Sequence, residues 1–293
     1  MTSAADRVPA PLLVLGGIVS VQFGGALAAT LVPVIGAGGS VVLRLLFATA
    51  LLLVLVRPRW RGHSKRAWLT VIAFGVALGL MNYTFYGSLA HLPIGVAVTI
   101  EFIGPLTLAA ALSRRWVDAV AVLAAAGGVV LISEAFQTPF AELEKVGIAL
   151  ALLAGAFWAA YIVLSGRTGA EFPRLEGLAI AMVVATLVTL PLGVASVPSW
   201  TGELLLKGLG IALLSSVLPY SLELLALRRL SAKVFGILLS LEPAFAALAG
   251  LVVLGQVLSP TQLLGMGLVV AASALVLGLG ARRSPDPAEA ANA

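Results

Sequence analysis

Runs of about 20 apolar residues, broken by short polar connections, recur along almost the whole of this chain. A helix needs roughly that many residues to cross the hydrocarbon core of a bilayer. The pattern predicts ten spans, near 11–31, 38–56, 68–88, 94–113, 118–134, 147–165, 177–195, 204–224, 234–254 and 262–280. The longest connections are expected near 57–67 and 135–146. Arg7 and the Ala26-Leu27-Ala28 run resemble parts of a cleaved leader. The first stretch is nevertheless read as a span, because it is long enough and the repeat described below requires it.

Composition agrees with this reading. Of 293 residues, 60% are hydrophobic and 11% charged, against roughly 25% charged in a soluble domain. The fold class expected is an all-α, multi-pass membrane protein. A net charge of +5 would suggest nucleic acid as a partner in a soluble protein. Here the basic residues are scattered between apolar spans, so no nucleic acid is expected and they read as topology signals. Cysteine is absent, which excludes disulfides, thiolate metal sites and cysteine catalysis.

Ten spans place both termini on one side. Of the 18 lysines and arginines, all but Lys145, Lys207 and Arg44 then fall on the side of the N-terminus. Lys145 and Lys207 lie opposite, and Arg44 lies within the second span. Positive residues accumulate in cytoplasmic connections, so both termini are predicted inside. Trp60, Trp68, Trp116 and Trp200 fall at expected interfaces, whereas Trp158 is in mid-span. The segment 281–293, with Pro285 and Pro287, reads as a disordered cytoplasmic tail.

An offset of 138 residues aligns Leu89, Leu92, Val96, Pro105, Ala109 and Ala111 with Leu227, Leu230, Val234, Pro243, Ala247 and Ala249. It maps the fourth span onto the ninth. Two five-span repeats follow, 11–134 and 147–280, and an odd span number makes them inverted, a common plan for secondary transporters. Both aligned prolines lie within spans, where proline removes a backbone hydrogen bond and tends to kink the helix. Two kinked helices at matching positions point to a shared central cavity.

Four charged residues fall inside spans: Arg44, Glu101, Glu223 and Glu242. Each costs at least ~2.5–3.5 kcal/mol near the bilayer centre and so is expected to face a cavity or a partner. Counting at ~1.5 Å per residue puts Arg44 and Glu101 both about 10 Å below the outer surface. An ion pair between them is expected, either purely structural or opened to take a substrate carboxylate or ammonium. Glu242 has no obvious partner and is the candidate proton carrier. Glu223, near Arg228 and Arg229 at the inner end of its span, reads as an interface residue. Gln22, Asn82, Tyr83, Tyr86, Trp158, Tyr161 and Tyr220 add polar or aromatic groups at central depth and suit a small zwitterion. Gly16, Ser20, Gly24 and Ala28, and Gly75 with Gly79, have the spacing of close helix contacts.

Signs of an enzyme are missing. His63 and His91 lie in connections without a second histidine at metal spacing. There is no phosphate-binding loop of Walker type, and Ser165 has no histidine nearby. Neither metal nor cofactor is expected, and transport would draw on an ion or substrate gradient.

From about Leu12 to Leu279 the chain resembles the EamA-type members of the drug/metabolite transporter superfamily, and among them the bacterial threonine/homoserine exporter subgroup. The resemblance is carried by Gln22-Phe23-Gly24-Gly25, Leu43-Arg44-Leu45, Met81-Asn82-Tyr83, Glu101-Phe102 with Gly104-Pro105, and Ser113-Arg114-Arg115. It continues in Gly155 to Tyr161, Leu218 to Glu223, and Glu242-Pro243-Ala244. Phe23 departs from the family's glycine and is expected to narrow the entrance. The resemblance implies an inner-membrane exporter of small amino acids, working by proton antiport. On this reading Arg44 meets the substrate carboxylate, Glu101 its ammonium, and Glu242 exchanges protons. A broader multidrug or metabolite exporter and a non-transporting membrane scaffold are the rival readings, and oligomeric state is left open.

Overall fold

In the computed structural model the described residues are 8–28, 30–113, 115–134, 136, 139, 143–254 and 258–281. Arg7, Arg114, Arg282, Arg283 and the tail beyond Ala281 lie outside them. The apolar runs are helical. They form α1 (Ala10–Ala28), α2 (Val32–Val56), α3 (Lys65–Ser88), α4 (Ile94–Ala111), α5 (Trp116–Ile132) and α6 (Lys145–Glu171). Then come α7 (Glu176–Gly193), α8 (Gly202–Ala212), α9 (Leu218–Leu227), α10 (Ala232–Leu239), α11 (Glu242–Leu254) and α12 (Pro260–Ala281).

Among the described residues six helical segments are long and apolar enough to cross a membrane: Val32–Val56, Lys65–Ser88, Lys145–Glu171, Glu176–Ser199, Gly202–Leu227 and Pro260–Leu277. Ala10–Gly25, Gly95–Ala111 and Trp116–Ile132 are shorter apolar helices. The protein is a multi-pass membrane protein.

Helix ends follow local chemistry. Ser64, Thr201 and Ser231 each accept a hydrogen bond from the backbone N–H three residues on, capping α3, α8 and α10. Pro33 sits in the first turn of α2, where its missing N–H costs nothing. Gly36 then breaks that helix locally with φ +70°, a conformation easy only for glycine.

Two distortions shape the centre. A five-residue π-turn, Leu213–Val217, joins α8 to α9 just before Pro219. Proline cannot donate to the preceding turn and crowds it, and the wider turn relieves the clash. The Ser20 hydroxyl donates to the Leu214 carbonyl at 2.6 Å, tying α1 to the turn. Second, helix stops at Leu239 and restarts at Glu242, beside Pro243. The prolines aligned by the repeat thus behave differently: α4 runs unbroken through Pro105, whereas α10 and α11 separate.

Packing crosses between the two halves of the chain. α3 lies against α6 and α7, α4 against α6, α2 against α7, α5 against α12, and α1 against α8 and α9. Small residues set these approaches as their spacing predicts. A side chain at Gly24 would strike Ser215, and one at Gly75 would strike Ala181 and Val184. The α2–α7 contact also carries a buried polar link, the Thr49 hydroxyl lying 2.8 Å from that of Thr186. The largest fully buried side chains include Tyr161, Phe74 and Phe235.

Candidate functional site

α2 brings Arg44 into the centre, flanked by the buried Leu43 and Leu45. The residue is 4% exposed, so a donor left unmatched is costly. Nη2 donates to Oδ1 of Asn82, and Nη1 donates to the Tyr86 hydroxyl at 3.4 Å. The guanidinium also lies 5.1 Å from the Tyr86 ring centre, within cation–π range. Among the described residues, Nε has no hydrogen-bond partner. The expected Arg44–Glu101 ion pair does not form: among the described residues no ion pair within 4 Å includes either side chain. Asn82 and Tyr86, one turn apart on α3, take the arginine instead.

Asn82 also bonds across the molecule. Its Nδ2 donates to the Tyr220 hydroxyl at 2.9 Å, joining α3 to α9 at a separation of 138 residues, the repeat offset itself. Tyr220 stands beside Tyr161, with ring centres 5.7 Å apart. Tyr161, fully buried on α6, donates its hydroxyl to Glu223 Oε2 at 2.7 Å.

Glu101 is positioned by glycines. A side chain at Gly104 would overlap the Gly155 carbonyl, and one at Gly155 would meet the Glu101 carbonyl. The backbones of α4 and α6 therefore touch, and this brings Glu101 and Trp158 to the same space. The Trp158 ring packs edge-on against Phe102 at 4.9 Å. Glu242 heads α11 at the helix break, where its carbonyl lies 3.5 Å from Gln22 Nε2. Among the described residues no side chain donates to the carboxylate of Glu101 or Glu242.

These groups surround two adjoining cavities. The smaller, about 170 Å³, is lined by Arg44, Asn82, Tyr86, Tyr220, Glu101, Glu223 and Glu242 together with apolar side chains. The larger, about 450 Å³, includes Gln22, Glu101, Trp158 and Glu242 and reaches Gly95, Ser133 and Gln262. Those last three sit at the start of α4, the end of α5 and the start of α12, so the larger cavity leads toward one face of the protein. On the opposite side of the small cavity lie Tyr161, Phe74 and Leu224, all buried.

Most of the residues singled out in the sequence thus meet around one space. Tyr161 stands behind the wall rather than in it, and Tyr83 lines neither cavity. Phe23 is 58% exposed on α1 and narrows nothing here. Glu223 differs most from expectation. It faces the small cavity beneath Tyr161, while Arg228 turns away to the Phe172 carbonyl at 2.7 Å and also bonds that of Arg174. Phe85, Ser133 and Gln262 line the larger cavity without having been singled out, as does Phe102 from the Glu101-Phe102 motif. Phe85 follows Asn82 by three residues on α3, a spacing that shares a helix face.

Three carboxylates against one guanidinium give the small cavity an excess of negative charge when all are ionised. Such a space favours a ligand bearing an ammonium group, or protons, alongside a carboxylate for Arg44.

The EamA-like transporter family matches residues 145–278. The chain is 42% identical over 265 residues to the threonine/homoserine exporter RhtA of Escherichia coli K12, covering 89% of each. It is 39% identical over 292 residues to RhtA of Salmonella typhimurium LT2, covering 98% of each. A solved protein crystal structure superposes with a TM-score of 0.76 at 18% identity, over 94% of this chain and 99% of the other, which shows a shared fold. This chain belongs to the EamA-like transporter family.

Proposed function

We propose that the protein is a secondary transporter that exports small amino acids such as threonine and homoserine across the bacterial inner membrane by proton antiport. The observation that carries the reading is a buried arginine with one unpartnered donor in the same small cavity as three carboxylates. A zwitterion supplies the complement: its carboxylate meets the Arg44 guanidinium, and its ammonium meets Glu101. The names borne by relatives at 39–42% identity point to the same substrates.

Ten crossings in two inverted repeats, with both termini inside, form the frame of this proposal. In support, α8 with α9, and α10 with α11, each follow one continuous apolar run. The pairing of α2 with α7 and of α5 with α12 is the contact pattern of two related halves. With this orientation the larger cavity faces outward, and the layer at Tyr161 and Phe74 closes the inner side. Rocking of the halves would then expose the small cavity inward, with Glu242, at the helix break, exchanging protons.

The test is counterflow of labelled threonine in proteoliposomes. Wild type is expected to exchange threonine and homoserine, and Glu101→Gln to lose that exchange. Undiminished exchange in a folded Glu101→Gln protein contradicts the role given to Glu101.

A further inference from the structure

We propose that Phe85 sets the size of amino acid that this transporter accepts, by closing the compartment in which the substrate's side chain sits. The inference rests on the amino-acid export reading and deepens it.

The two cavities are one space divided by a partition. They share four residues, namely Phe85, Glu101, Trp158 and Glu242. Two of these are carboxylates that a substrate ammonium can approach from either side. The other two are aromatic rings, and they form the apolar part of the partition.

The groups that fix the head of an amino acid are not divided equally. Arg44, Asn82 and Tyr220 belong to the small compartment alone. An amino acid held by Arg44 and Glu101 therefore has its α-carbon there, and its side chain meets Ile18, Val21 and Met81 on the compartment's apolar wall. A volume of about 170 Å³ falls below the ~300–1,000 Å³ of sites for drug-sized ligands. The 450 Å³ vestibule falls within that range and does not discriminate.

Phe85 is held firmly enough to limit size. It packs on the apolar cluster of Leu92, Val96, Ala97 and Ala151 from α4, its leading loop and α6. Its ring also meets that of Tyr86 edge-on at 6.2 Å, and Tyr86 in turn contacts Arg44. Removing the ring joins the small compartment to the vestibule while leaving Arg44 and Glu101 in place.

Labelled threonine and leucine are compared in proteoliposomes containing wild type, Phe85→Ala and the milder Phe85→Val, with thermal melting of each purified protein as the folding control. Wild type is expected to favour threonine. In the variants the leucine-to-threonine transport ratio is expected to rise by roughly tenfold or more, the scale on which pockets discriminate by size. A ratio within twofold of wild type in a folded variant overturns the proposal, as does wild type that already carries leucine as well as threonine. Failure of wild type to move threonine or homoserine at all defeats the export reading instead.

Discussion

Arg44→Gln is the most informative single substitution. Glutamine keeps a shorter polar side chain on α2 but removes the charge, the bond to Asn82 and the contact with the Tyr86 ring. If the guanidinium receives the substrate carboxylate, the loss is one charge-assisted hydrogen bond, worth about 1.5–3 kcal/mol. That corresponds to a rise in KM of roughly 10- to 150-fold. The melt should fall as well, because Arg44 is the cation among three carboxylates of the small cavity and its loss leaves Asn82 Oδ1 short of a donor, so KM is compared on protein that still folds. The assay is initial-rate counterflow across a threonine concentration series, paired with thermal unfolding of the purified protein. Arg44→Lys should fall between wild type and Arg44→Gln, since lysine keeps the charge without the planar fork. A folded Arg44→Gln protein with KM within twofold of wild type would refute the assignment.

Other consequences are equally direct. Tyr161→Phe removes only the hydroxyl that donates to Glu223 at 2.7 Å, and should lower stability by about 1.5–3 kcal/mol, read as an earlier melt; an unchanged melt contradicts a bond of that strength. Gly104→Ala places a methyl group on the Gly155 carbonyl and should cost about 1–3 kcal/mol together with transport, because it parts α4 from α6; a wild-type melt and transport rate count against that contact. Lys233→Met removes a cation 2.8 Å from Asp118, whose side chain is 5% exposed. Partial exposure of the lysine keeps the loss below the ~3–5 kcal/mol of a fully buried pair; an unchanged melt counts against that contact. The absence of native cysteine makes topology readable by labelling: a cysteine replacing Arg61 should react only from the cytoplasmic side, and one replacing Glu203 only from outside.

The fold and the site were legible to different depths. Apolar run length located the helices to within about six residues, the start of α2 and the end of α6 being the largest misses, because a bilayer imposes a minimum length on a crossing but does not limit its extension beyond. Arg44, Glu101 and Glu242 were legible because a charge in an apolar run has so few places to go. Their partners were not. Counting gives depth along a helix but not the direction a side chain faces, so Arg44 and Glu101 looked paired when Asn82 and Tyr86 hold the arginine. Glu223 was placed at the inner interface for a related reason: Arg228 and Arg229 are near it in sequence, yet it lines the small cavity and takes its hydrogen bond from Tyr161, 62 residues away. Phe85 gave no signal, since a phenylalanine that lines a cavity is indistinguishable in sequence from one that faces lipid.

Outward movement of a zwitterion through this cavity in exchange for protons is measured directly as efflux of threonine and homoserine from loaded proteoliposomes with and without an acidic exterior. Efflux is expected to exceed that of empty-membrane controls and to accelerate when protons are made to flow inward, with the acceleration lost in Glu242→Gln. Efflux of hydrophobic cations with no flux of either amino acid would contradict the antiport reading, as would amino-acid efflux that ignores the imposed gradient.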